Sequence, residues 1–337
     1  MTFSIAKPIP VLVLNYNKFE LTKKFFENNL KYTDNVTWCI VDNGSDSSMV
    51  GLLVEYIQSL GWNIWKQGDR YEWELIHKGE DTANGDLLLL KKNYGYAKGN
   101  NFGINFIETH YTPDYLFINN NDVIWHEDLV NILQKELRKY SDLAIIAPRI
   151  IGPDGKEQNP QFIIEKIKMV QTYYRLGFPF SVVFYKLFSR IYNYDVHNKQ
   201  SYKNKTAMMQ LDMSKYCMMG SCFMIKFPVF KKIGFFDPCT FLGAEESIIV
   251  KKLGAINCKI AILPSVYVIH NQGETTRSIF STNKSMELFE DSDEYYLKTY
   301  CHYSENKLRL IRFGRRYYIR LWLPLIERLN KYYKSER

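Results

Sequence analysis

The sequence lacks the features that mark several large classes of protein. Its six cysteines, Cys39, Cys217, Cys222, Cys239, Cys258 and Cys301, form no Cys-x-x-Cys pair, so neither a zinc site nor a disulfide framework is expected. No signal-peptide pattern is seen, and a reducing, cytoplasmic setting is the expectation. No run reaches the roughly 18 to 20 uninterrupted apolar residues that a membrane-spanning helix needs. Charge imbalance is confined to one end: Lys307 to Arg337 holds ten Lys/Arg against Glu327 and Glu336, which accounts for the whole net charge of +8. The balanced remainder excludes a general polyanion-binding body, and with no nucleic-acid-binding motif in view, nucleic acid is not an expected partner. What the 337 residues do have is apolar mass, 46% hydrophobic and 15% aromatic. That is enough for a substantial core in one large domain or two small ones.

Short apolar runs ending in polar clusters recur along the chain. Pro10 to Leu14 stops at Asn15-Tyr16-Asn17, and Phe19, Leu21, Phe25, Phe26 and Leu30 then follow at helical spacing, which predicts strand, loop, helix. Trp38 to Val41 stops at Asp42-Asn43-Gly44-Ser45-Asp46, ahead of a helix over about 48–61. Two such βα units imply a parallel sheet. Residues 62–85, with three tryptophans, read as an insertion or hairpin of no assigned role. Leu87 to Leu90 resumes the strand pattern and runs into Asn93-Tyr94-Gly95-Tyr96-Ala97-Lys98-Gly99-Asn100, the start of a helix to about Glu108. Glycines there let backbone approach a ligand, and N–H groups at a helix start favour anions.

Tyr115 to Ile118 has the look of a buried parallel strand, and it stops at Asn119-Asn120-Asn121-Asp122. Open α/β sheets bind ligands just beyond such strand ends, and a carboxylate among amide oxygens suits Mg²⁺ or Mn²⁺. Taken alone, the stretch reads first as a turn, because Asn and Asp are the usual turn residues. A helix over 127–140, a strand over 143–148 and a Pro-Asp-Gly turn follow. Residues 161–213 are aromatic and basic, with no sheet pattern. Strands are expected again over 218–225, 260–263 and 266–270, the last ending at His270, and Glu245-Glu246 opens a helix between them. Two acids at a helix start also complement its dipole, by ~0.3 to 1 kcal/mol. A lone His after a strand is commonly structural.

In this order, the motifs resemble those of the inverting family-2 glycosyltransferases of the GT-A fold, particularly the rhamnosyltransferase-like enzymes of bacterial surface polysaccharide synthesis, over roughly residues 8 to 275. The resemblance implies a Rossmann-like α/β domain over 1–275, its mostly parallel central sheet flanked by helices. Within it 161–213 would be a variable acceptor-side segment, and 276–337 would follow as a basic, aromatic, helical extension. It implies that Asn15, Tyr16, Asn17, Asp42, Asn43 and Ser45 hold the donor nucleotide, a UDP- or dTDP-sugar, together with Asn93, Gly95, Gly99, Asn100, Asn120 and Asn121. It implies Asp122 and His270 as contacts of a divalent cation, Mn²⁺ or Mg²⁺. Of the acid pair, Glu246 would be the catalytic base and Glu245 the group that orients, although the family usually has Asp where Glu246 stands.

A glycoside hydrolase also uses two carboxylates, but they must flank the bond ~5 to 9.5 Å apart, and helical neighbours point about 100° apart. A catalytically degenerate GT-A protein, serving as a sugar-binding scaffold of a polysaccharide assembly complex, is the non-enzymatic alternative. The acceptor implied is a saccharide, lipid-linked in the membrane reading. The tail over 307–337 mixes Tyr, Arg, Trp and Leu. Such a segment suits the anionic inner leaflet of the cell membrane, or equally a helix packed on the catalytic domain.

Overall fold

The computed structural model describes residues 7–32, 35–75, 84–178, 180–181, 207–271, 282–322 and 324–325. In chain order these form β1 (Ile9–Asn15), α1 (Phe19–Asn29), β2 (Val36–Asp42), α2 (Ser47–Ser59), β3 (Trp62–Gln67), β4 (Arg70–Leu75), β5 (Asn84–Leu89) and α3 (Gly95–Tyr111). Next come β6 (Tyr115–Asn120), β7 (Val123–Trp125), α4 (Leu129–Leu137), β8 (Leu143–Ile151), β9 (Gln161–Phe162) and α5 (Ile164–Gly177). The chain continues through β10 (Met209–Gln210), β11 (Tyr216–Cys217), β12 (Cys222–Lys226), α6 (Phe227–Lys232), α7 (Glu245–Ala255), β13 (Lys259–His270), α8 (Thr282–Thr299) and α9 (Glu305–Tyr317).

The main sheet runs β10-β13-β8-β12-β6-β1-β2-β5-β4-β3, with β7 paired to β13. β1 pairs in parallel with β2 and β6, β2 with β5, and β8 with β13, while β12 lies antiparallel between β6 and β8. Consequently β5, β2, β1, β6, β8 and β13 all point one way, and their carboxyl ends share one edge. Alternating side chains fill the two faces. Val11, Val13, Trp38 and Ile40 meet Phe25 and Phe26 of α1 and Leu53 and Ile57 of α2 on one side. Leu12, Cys39, Val41 and Ile118 meet Ile104 and Ile107 of α3 on the other. Every residue of β2 is buried, as a central strand covered on both faces requires.

Two stretches differ from the sequence reading in where their strands begin and end. The strand expected over 218–225 begins only at Cys222, and Tyr216–Cys217 pairs separately with β9. The strands expected over 260–263 and 266–270 are one, β13, with a register shift between Leu263 and Tyr267. Pro264 lies in that shift and has no N–H to give the ladder, so the strand bends there without ending. Residues 62–85 do include a hairpin: β3 and β4 are antiparallel and extend the sheet beyond β5. Within 161–213 the described residues form β9, α5 and β10, and the rest of that segment lies outside the described residues.

The C-terminal helices pack on the body. Leu308 and Ile311 of α9 join Tyr296 and Leu297 of α8 in one cluster with Ala244 and Ile248. At the seam with α5, Lys168 is 1% exposed, and its Nζ lies 2.6 Å from Glu290 and 2.7 Å from Asp293 of α8. Arg175 reaches Glu290 at 2.8 Å. Removing the lysine would leave carboxylates in a dry seam. Lys168→Ala is expected to destabilise the chain by about 3 to 5 kcal/mol in urea titration.

Candidate active site

The loops at the carboxyl ends of β1 and β2 are bound into one unit. Asp42 accepts from Asn15 Nδ2 at 2.7 Å, from Ser45 Oγ at 2.6 Å and from the Ser45 amide at 2.8 Å. Burial pushes its carboxyl up, and these donors pull it partly back. Asn17, with φ of 49°, accepts from the Asp46 amide at 2.8 Å and donates its own amide to Ser45 Oγ at 2.7 Å. Tyr16 is half-buried beside it. Asn121 Nδ2, from the β6–β7 turn, donates to Asn15 Oδ1 at 3.2 Å and to Thr22 Oγ1 at 2.9 Å. Asn15 and Asn121 are thus internal braces rather than free ligand contacts.

The glycine turn is braced in the same manner. Asn43 Nδ2 donates to Asn93 Oδ1 at 3.0 Å and to the Gly95 carbonyl at 3.1 Å. The amides of Tyr94, Gly95 and Tyr96 go to Asn43 Oδ1, Asn93 Oδ1 and the Phe241 carbonyl. The expectation of anion-binding N–H groups therefore does not hold for these three. Gly95, at φ of 81°, admits the Phe241 backbone where a Cβ would collide, and Gly99 lets Leu14 and Asn43 close on α3. Asn100 is buried and donates to the Tyr96 carbonyl at 2.9 Å.

Asp122 occupies the β6–β7 turn. β7 pairs with β13 so that Val123 stands opposite His270, and the Asn271 amide donates to the Asp122 carbonyl at 3.2 Å. Asp122 and His270 are 8% and 4% exposed, with His270 Nε2 3.3 Å from Asp122 Oδ1. The tautomer follows from Gln158. Its Nε2 donates to the His270 carbonyl at 3.2 Å, so its Oε1 faces His270 Nδ1, at 2.6 Å. Nδ1 therefore carries the proton in the neutral ring, and the Nε2 lone pair faces the carboxylate. Asp122 Oδ1 is buried with no hydrogen-bond partner among the described residues. Two acceptors facing one another in a buried place fit a hard cation between them. Among the described residues no group of three or more His, Cys, Asp or Glu forms a closed metal cage. A pair leaves positions open for phosphate oxygens and water, as Mg²⁺-type sites do. Asn120 lies alongside, its amide donating to the Ser221 carbonyl at 2.7 Å.

The acids enter from α7. Gly243 and Ala244, at φ of 93° and 72°, turn the chain sharply before the helix. Glu245 is buried, with Oε1 lacking a hydrogen-bond partner among the described residues. Glu246 is half-buried, and its Oε1 accepts from the Gly220 amide at 3.0 Å. Burial raises both carboxyls, Glu245 further because the charge of Glu246 stands beside it. The Tyr96 hydroxyl donates to the Gly220 carbonyl at 2.8 Å. Burial and the charges of Glu246, Glu245 and Asp122 push that phenol well up. Tyr96, Gln158, Gly220 and Thr22 were missed by sequence reasoning. Only Tyr96 left a signal, standing inside the Asn93 to Asn100 turn.

No protein-family model matches the sequence, and neither does any curated protein. Among solved structures, the chain resembles that of GalNAc-T7 with UDP, GalNAc and Mn²⁺, at a TM-score of 0.51 and 14% identity, over 91% of this chain and 54% of that one. This chain therefore spans about half the length of that protein, and at such identity the likeness is one of fold. The fold is that of the GT-A glycosyltransferases, an α/β architecture with a large, mostly parallel central sheet flanked by helices.

A carboxyl held protonated by the fold favours the folded state at low pH. That contribution is lost as pH rises from the ordinary carboxylate value near ~4.3 toward the raised folded one. Glu245→Gln removes this loss. Its thermal midpoint is expected to exceed that of the natural chain at pH 7 to 8 and to converge on it near pH 4, roughly the ordinary carboxylate range.

Proposed function

We propose that the protein is an inverting, metal-dependent glycosyltransferase. It moves a hexosyl or deoxyhexosyl group from a nucleoside-diphosphate sugar, UDP- or dTDP-linked, to a hydroxyl of a saccharide acceptor, lipid-linked, in cell-surface polysaccharide synthesis. The observation that carries this reading is the facing pair Asp122 Oδ1 and His270 Nε2, 3.3 Å apart, on the sheet edge that also receives Glu246. The GT-A fold supports its coarser part, glycosyl transfer from a nucleotide sugar, and the solved structure it resembles holds UDP and Mn²⁺.

Asp122 and His270 would hold Mn²⁺ or Mg²⁺. Bound there, the cation neutralises charge that develops on a departing diphosphate. The proton chemistry belongs to the chain itself. Glu246 takes the proton of the acceptor hydroxyl, and its half-buried position gives an acceptor access that Glu245 lacks. Its raised carboxyl makes it a stronger base than an exposed glutamate. The Gly220 amide fixes one carboxylate oxygen, and Tyr96 fixes the Gly220 peptide from the other side. A single base acting on the face opposite the leaving group inverts the anomeric centre. Release of UDP or dTDP from nucleotide sugars in Mn²⁺ is the test. Asp122→Ala and Glu246→Gln should each slow it by roughly 10²- to 10⁴-fold, and unchanged turnover in both overturns the assignment.

We further propose that the protein acts at the inner face of the cell membrane, where a lipid-linked acceptor would lie. Arg309, Phe313, Arg316 and Arg320 follow one another at helical spacing along the exposed side of α9 and the turn after it, with Phe313 61% exposed. A basic stripe around an aromatic suits anionic headgroups. The combined variant Phe313→Ala, Arg316→Glu, Arg320→Glu should lose flotation with phosphatidylglycerol vesicles. Equal flotation of both forms would count against the stripe.

A further inference from the structure

The loop that carries the chain into α7, from Asp237 to Ala244, is pinned at several points. Asn101 of α3 clamps Phe236 just ahead of it, its Oδ1 accepting from the Phe236 amide at 3.2 Å and its Nδ2 donating to the carbonyl at 2.9 Å. The Tyr96 amide holds the Phe241 carbonyl at 2.8 Å. α8 supplies further contacts: Phe289 lies against Gly243, and Tyr296 and Leu297 pack in one cluster with Ala244.

Asp237 is the single charged residue of this loop, and it is buried. Its Oδ1 accepts from the Cys239 amide at 2.9 Å. Its Oδ2 accepts from two phenols, Tyr295 of α8 at 2.9 Å and Tyr300 in the turn just after α8 at 2.5 Å. Burial works against the charge, but the Tyr300 hydroxyl, the Cys239 amide and the Tyr295 hydroxyl outweigh it and hold the carboxyl below its ordinary value. Hydrogen bonds to an ionised group are the strong kind. Two of them on one oxygen tie the C-terminal segment to the loop.

The tie continues to the acid pair. The Thr240 hydroxyl donates to the Asp237 carbonyl at 3.2 Å, and the same buried hydroxyl is in hydrogen-bond contact with the Glu245 carboxyl. Between Thr240 and Glu245, the backbone of Gly243 and Ala244 is left-handed, at φ of 93° and 72°. Glycine takes that conformation readily and alanine does not. A residue so strained persists only where its surroundings over-determine it. Here the strained pair sets the direction in which α7 starts, and with it the directions of Glu245 and Glu246.

Docking of the C-terminal helices does not by itself account for the two phenols. Those helices are already fastened by Leu308 and Ile311 in their apolar cluster and by Lys168 against Glu290 and Asp293. None of these contacts engages the Asp237 carboxylate. What the hydroxyls add is a fixed Asp237.

We propose that Asp237 is a positioning residue for the acid pair, and that Tyr295 and Tyr300 hold it in place, so that the C-terminal helices complete the catalytic centre. The inference rests on the glycosyltransferase reading and gives those helices a part in its chemical step. Asp122 and His270 stand on other elements, so the tie bears on the acids and not on the donor.

Steady-state release of UDP or dTDP by the full chain in Mn²⁺ tests this, with the UDP- or dTDP-hexose that the natural chain turns over fastest, alongside calorimetric titration with UDP. The double variant Tyr295→Phe, Tyr300→Phe keeps both rings and loses both hydroxyls. Its kcat should fall by roughly 10- to 10²-fold, with the KM for the donor and the affinity for UDP unchanged. Each single variant should fall part of the way, which carries the test if the double variant does not fold. Tyr296→Phe removes a neighbouring hydroxyl of α8 that does not reach Asp237, and its kcat should match that of the natural chain. If the phenylalanine variants turn over like the natural chain, or if Tyr296→Phe falls as far as they do, the proposal is overturned while the transferase reading stands. A fall in UDP affinity that accounts for the lost turnover overturns it as well. If the natural chain turns over none of the UDP- and dTDP-hexoses, the transferase reading falls and this proposal with it.

Discussion

The amide of Asn120 donating to the carbonyl of Ser221 at 2.7 Å is the contact on which the polar edge depends. β12 runs against β6 with Cys222 opposite Asn119, so the residues that precede β12 arrive where β6 ends. Gly220 is among them. A side chain there would collide with Glu246 Oε1, and without one the carboxylate packs directly on the peptide and takes its N–H. One antiparallel strand among parallel neighbours thus brings an acid from a late helix to the turn that carries Asp122. A parallel strand in its place would deliver its own carboxyl end to that edge, not residues 220 and 221.

Crowding carboxylates at one edge is unfavourable, and the structure meets it in two ways. Glu245 and Glu246 are pushed toward the protonated form by burial. Asp122 instead faces the ring nitrogen of a histidine whose other nitrogen Gln158 engages, an arrangement that would suit the cation proposed above. The acids also need a fixed approach. Tyr295 of α8 and Tyr300 in the turn just after it donate to Asp237 Oδ2 at 2.9 Å and 2.5 Å, and the Phe289 ring lies where a side chain on Gly243 would go. The loop that leads into α7 is therefore held from outside the sheet, by residues at and just after α8. The extension expected as a basic tail contributes to the frame of the site through α8, while α9 turns its basic face outward.

Uniform apolar runs with abrupt polar ends were legible from the sequence: β1, β2 and β6 lie close to where their patterns put them, because a strand covered on both faces has little freedom in composition. Boundaries were less legible where a proline bends a strand without ending it, as at Pro264, or where a run of small and apolar residues such as Met218 to Ser221 turns before pairing. In the site, the motif order located Asp122, His270, Glu245 and Glu246 on one framework. It did not reveal which amides are free. Asn121 is fixed by Asn15 and Thr22, about a hundred positions away in the chain, and the glycine turn closes on its own amides and on Phe241. A polar side chain braces or binds according to partners that only the fold brings near. Gln158 shows the same limit from the other direction, since nothing local marks it as the residue that orients His270.

The central claim is that Asp122 and His270 form the metal point of a sugar-nucleotide site. Anomalous scattering from Mn²⁺ in crystals grown with UDP tests it most directly. The account predicts a single strong peak within coordination distance, roughly 2.0 to 2.3 Å, of Asp122 Oδ1 and His270 Nε2, with diphosphate density on its open side. A peak held by other residues, or Mn²⁺ and UDP bound apart from one another, would contradict it.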